Sequence, residues 1–111
     1  LSAAFYDASF NRSEYISFRN LRESFSYHSG DITSAPNGAC EFIDIDINKA
    51  TKLGYKYVVM TVHSFTSTDF CDLPECFAGL MTRDDHKKGA IFDPRTVTHK
   101  FDLTSGNTNC I

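Results

Sequence analysis

The chain contains no glutamine, only three prolines and six glycines, and no apolar run near the ~18 residues a membrane-spanning helix requires. Membrane insertion is therefore not expected. Basic runs are also missing: Lys and Arg number 11 against 14 Asp and Glu, for a formal charge of −3. Nucleic-acid binding has little electrostatic support on such a chain. No Gly-x-Ser-x-Gly elbow and no Gly-x-x-x-x-Gly-Lys phosphate loop occurs. The initiator methionine and a basic leader are likewise absent, which fits a domain taken from a longer protein.

Zinc spacing is missing too. Cys71 and Cys76 enclose four residues and no second close pair follows, while His28, His63, His86 and His99 stand singly. The four cysteines, Cys40, Cys71, Cys76 and Cys110, permit either a disulfide framework with three possible pairings or ordinary reduced thiols. A Cys71/His63 nucleophile is conceivable, since both fall near one end of an apolar run, but a lone histidine there is commonly a packing residue. No enzyme activity is expected.

The residues that are present favour strands. Hydrophobic residues make up 41% of 111, enough for one globular domain. Ten aspartates against four glutamates fit turns, caps and oxygen-ligand loops better than helix interiors. Runs rich in Val, Ile, Thr, Phe and Tyr predict six strands: 1–6, 14–19, 41–47, 55–65, 76–83 and 97–103. In EFIDIDI, Ile43, Ile45 and Ile47 alternate with Asp44 and Asp46, and the long run 55–65 reads as a central strand. One helical turn is expected from Asn48 to the stop signal at Gly54. The fold class that follows is all-β, an antiparallel β-sandwich with one short helix.

The most suggestive stretch for binding runs from His28-Ser-Gly-Asp31 through Thr33, Ser34, Pro36 and Gly38 to Glu41, with Asp44 and Asp46 beyond. Calcium takes six to eight hard oxygens, which a glycine-bearing acidic loop can supply. A polar surface loop with Asp31 making turn hydrogen bonds is the other reading. An EF-hand does not fit Asp44-Ile-Asp46-Ile-Asn48, because Lys49 stands where glycine is needed and Tyr55 where glutamate is needed. Asp69, Asp72 and Glu75 make a second acidic loop, and Asp84-Asp-His86-Lys-Lys-Gly89 reads as an exposed turn.

Phe18-Arg-Asn-Leu21, His28-Ser-Gly-Asp31 and Glu41-Phe-Ile-Asp-Ile-Asp-Ile-Asn-Lys49 together resemble the TerD-like family, named for tellurite resistance. Leu1-Ser-Ala-Ala-Phe-Tyr-Asp7 is similar to that family's first motif without its opening acidic residues, and segments 73–83 and 92–104 resemble a bacterial branch found within longer proteins. The resemblance implies a single domain over 1–111 with its first strand truncated, binding calcium without catalysis. It implies a cytoplasmic setting in stress response, with other proteins of an assembly or further domains of a longer chain as partners. By position it assigns Gly30, Asp31 and Glu41 to the ion loop and Asn20 to the strand end. Thr33 or Ser34 and Asp44 complete the candidate ligands. Ile32, Ala39 and Cys40 replace polar or acidic residues of the family pattern, and fewer carboxylates mean weaker calcium binding.

Overall fold

The computed structural model describes residues 1–83 and 89–111. The exposed turn expected at 84–89 lies, except for Gly89, outside the described residues. The chain divides into two compact units, Leu1–Thr61 and Val62–Ile111. The all-β expectation holds: among the described residues every strand pair is antiparallel, and one short α-helix is present. Among the described residues no helix is long and apolar enough to cross a membrane.

In the first unit, β1 (Ser2–Tyr6), β2 (Arg12–Ile16) and β6 (Tyr57–Thr61) form one sheet in the order β2-β1-β6. A second sheet, in sequence order, contains β3 (Arg22–Glu23), β4 (Ser26–His28) and β5 (Ile43–Ile45). Helix α1 (Ile47–Lys52) connects β5 to β6. One core draws on both sheets and the helix: Ala3, Phe5, Ile16, Phe25 and Ala50, with Ile43, Ile45 and Tyr55 against them. Phe5 is fully buried, edge-on to Phe25 at 4.9 Å and tilted on Tyr55 at 5.6 Å. Such packing adds specific ring contacts to the burial of apolar area.

The long apolar run is not the central strand. Among the described residues β6 has one neighbouring strand and lies at the edge of its sheet, with Val58 and Val59 about half exposed (46% and 51%). The centre belongs to β1, whose Ala3, Ala4 and Phe5 are all buried. Small side chains tolerate covering on both faces, so packing outranks the β-branched preference of the valines.

The acidic strand is also shorter than its alternation implies. β5 ends at Ile45 because the Asp46 side chain accepts from Lys49 N at 3.0 Å and caps α1. Ile47 therefore leaves the Ile43/Ile45 face and is 68% exposed. The helix stops at Gly54, whose φ of 90° lies in the left-handed region. Replacing Asp46 with Ala should cost about 1 kcal/mol, and Asp46→Asn much less. Urea unfolding followed by tyrosine emission checks this, since all five tyrosines lie within 1–61.

In the second unit, β7 (Phe77–Leu80) pairs with β8 (His99–Asp102). Two 3-10 turns, Phe70–Asp72 and Pro94–Thr96, precede them. Gly79 is required by close approach: a Cβ there would meet Val97 Cγ1 at 2.5 Å and the His99 carbonyl oxygen at 2.9 Å.

Candidate functional site

Residues 29–42 leave β4 and return to β5. The neck of this loop is closed by Ser29 N–H donating to the Phe42 carbonyl and Phe42 N–H donating to Ser29 Oγ, both at 2.9 Å. Gly30, at φ 117°, turns its N–H back onto His28 Nδ1 at 3.0 Å. That ring nitrogen accepts, so the proton of a neutral ring sits on Nε2, which donates to the Leu1 carbonyl at 2.9 Å. His28 is thereby buried with both nitrogens engaged.

Glu41 completes the arrangement. Its Oε1 accepts from Ile32 N–H at 2.6 Å, and its Oε2 accepts from the Leu1 nitrogen at 2.9 Å. His28 Nε2 lies 3.9 Å from the same Oε2. The carboxylate thus joins the start of β1, the root of β4 and the near side of the loop. Charge-assisted bonds of this kind are about twice as strong as neutral ones.

The candidate calcium ligands are only partly gathered. Gly30 and Glu41 meet through His28 and Ile32, and the exposed residues Asp31, Thr33 and Ser34 flank Ile32 on the same loop. Gly38, at φ 84°, closes a turn by donating to the Ala35 carbonyl at 3.0 Å. Asn20 belongs to another neighbourhood, donating to Glu23 Oε1 at 3.0 Å and to the Tyr15 carbonyl at 3.3 Å. Asp44 lies in β5 opposite Tyr27, and its carbonyl accepts from Ser26 Oγ at 3.0 Å. A calcium cage needs oxygens converging on one point, whereas the loop directs the Ile32 N–H at Glu41. Among the described residues, no group of three or more His, Cys, Asp or Glu side chains is placed to hold a metal ion.

Spacing alone misses what His28 and Leu1 do, because neither a backbone carbonyl nor a buried imidazole leaves a motif. The sheet β2-β1-β6 carries a second feature. Away from the core, Tyr15, Ala4 and Val59 form one cross-strand row, and Arg12, Tyr6 and Tyr57 the next. Phe10, held at φ 61°, stacks on Tyr57 at 4.6 Å and remains 67% exposed. This face is aromatic and open to water.

The second unit rearranges the expected cysteine chemistry. All four cysteines are free. His63 faces Cys110 across an antiparallel bridge, while the Cys71 thiol donates to Asn107 Oδ1 at 3.5 Å. Burial and then the neighbouring Asp102 push the Cys76 thiol up; burial and then Glu41 do the same to Cys40 in the first unit. A shallow cleft of about 350 Å³ lies beside Cys76, and Lys100 and Asp102 of its lining are already engaged. Lys100 Nζ sits 4.8 Å over the Phe77 ring, and the Asp102 carboxylate accepts from Thr104 N–H and Oγ1. No family model, no curated protein and no solved structure matches this chain.

Proposed function

We propose that this chain is a non-catalytic interaction domain of the TerD-like kind, in which protein donors hold the acidic loop where the family would use an ion. The observation that carries this reading is the Glu41 carboxylate, which already accepts from the loop's own Ile32 N–H at 2.6 Å. Loop 29–42 then presents an ordered surface without a cation. The exposed aromatic face of Phe10, Tyr15 and Tyr57 supports an interaction role, since contiguous apolar surface in contact with water commonly marks a binding site. In family terms the partners are proteins of a cytoplasmic stress-response assembly or domains of the same longer chain.

The family's calcium-binding function is the second reading. It is favoured by the Asp31, Thr33 and Ser34 oxygens beside Ile32 and by the Glu41 carboxylate at the far end of the loop. Thermal unfolding in EDTA, in about 1 mM calcium and in magnesium separates the two. A ~10 μM site would add roughly 2.7 kcal/mol at that concentration. The ion-free reading expects three superimposable curves. A rise with calcium and not magnesium, abolished by Asp31→Ala, would replace it with the calcium reading.

A further inference from the structure

We infer that the open face of the β2-β1-β6 sheet binds an acidic protein segment that carries aromatic or large aliphatic side chains. This inference deepens the interaction reading above and rests on it. The first observation is a ring that the fold does not require. Asp7 organises the turn between β1 and β2, its carboxylate accepting from Ser9 N–H, Asn11 N–H and Asn11 Nδ2 at 2.8, 2.9 and 3.1 Å. Phe10 sits in that turn at φ 61°, a left-handed conformation that glycine or asparagine adopts at less cost. Its ring nevertheless lies on Tyr57 at 4.6 Å and is 67% exposed. Strained backbone that holds an aromatic ring in water serves a contact surface, not a core.

The second observation is charge. Arg12, Arg19 and Arg22 are exposed, and among the described residues no carboxylate pairs with any of their guanidinium groups. Each group lies over a ring: Arg12 over Tyr15 at 5.8 Å, Arg19 over Phe18 at 5.3 Å and Arg22 over Tyr27 at 4.9 Å. The nearby acids are turned elsewhere. Glu14 pairs with Phe5 on the core side, and Glu23 accepts from Asn20. Arg12 shares its cross-strand row with Tyr6 and Tyr57, so cation and rings occupy one face.

A guanidinium stacked on a ring keeps its N–H donors for a planar, bidentate acceptor, which a carboxylate provides. Apolar side chains beside that carboxylate would cover Phe10, Tyr15 and Tyr57, and tyrosine, phenylalanine and arginine are the residues enriched at protein interfaces. Single-stranded nucleic acid also stacks on rings, but it needs a positively charged groove, and this chain carries −3.

The test is selection of displayed random peptides, about twelve residues long, on the immobilised full chain at low salt. Enriched peptides are expected to place Asp or Glu beside Phe, Tyr, Trp or Leu. Synthetic copies should bind Phe10→Gly and Arg12→Gln at least about tenfold more weakly, and should lose affinity between about 50 and 300 mM salt. Phe10→Gly should match or exceed the urea midpoint of the unsubstituted chain, which separates lost binding from lost folding. If that variant does unfold, Arg12→Gln decides alone. Enriched peptides without acidic residues, or tighter binding of polyuridine than of the peptides, overturn the acidic-segment assignment. Acidic peptides that bind both variants unchanged overturn this face and leave the interaction reading standing. No enrichment at all overturns both.

Discussion

Replacing Phe5 with Ala is expected to destabilise the first unit by about 3–5 kcal/mol. The side chain is fully buried in the middle of the central strand and contacts the rings of both Phe25 and Tyr55. Truncation removes the transfer energy of the ring, leaves a cavity and ends both aromatic contacts. With a urea slope of about 2 kcal/mol/M, the midpoint should fall by roughly 1.5–2.5 M. The chain has no tryptophan, so the five tyrosines of residues 1–61 report this transition without interference from the second unit. Phe10→Ala is the control, because that ring is largely in water. A comparable loss at Phe10 would mean that the core is not where the rings of Phe5, Phe25 and Tyr55 place it.

The second large effect is expected at His28. His28→Ala removes the acceptor of the Gly30 N–H and the donor to the Leu1 carbonyl from a buried position. Unsatisfied polar groups and a cavity together should cost about 2–4 kcal/mol. Hydrogen exchange at the Gly30 amide should accelerate more than exchange in β1. Glu41→Gln provides the companion measurement. An amide has one acceptor oxygen, so its NH₂ must face either Ile32 N–H or the Leu1 nitrogen, donor against donor. Faster exchange at Ile32 is the expected readout. Unaltered protection at both amides would show that the loop is held by something other than this pair of side chains.

Much of the first unit is legible in the sequence, and the failures share a cause. The alternation that places Ile43 and Ile45 in the core is real, but it cannot reveal that Asp46 leaves the strand to cap a helix. The valines of β6 have the highest strand preference, yet the alanines of β1 take the middle of the sheet. Preference is a local property, whereas strand order depends on which side chains allow covering on both faces. Strands β3 and β4 are two and three residues long and lie in a Ser- and Tyr-containing stretch without alternation, so nothing in the residues marks them.

The candidate site shows the same division. The residues from His28 to Glu41 stand out by composition, and the structure does join the two ends of that stretch. Which atoms meet was not readable, because the partners are a backbone N–H and the carbonyl and nitrogen of a residue 40 positions from Glu41. Likewise His63 lies near Cys71 in sequence, but strand register sets it opposite Cys110.

The position of β1 also bears on how the chain is made. Its pairing with β2 is local, Tyr6 opposite Arg12, and a hairpin of this kind closes in about 1–10 μs. Its other edge waits for β6, where Ser2 meets Thr61. At about 5–20 residues per second of synthesis, the ribosome delivers β6 several seconds after β1. Throughout that interval the nascent hairpin exposes an unpaired edge at its most buried strand, a template for wrong pairing. Ala3 and Ala4 make that edge poorly adhesive, so the weak strand preference that obscures β1 in the sequence also protects it while the sheet is incomplete.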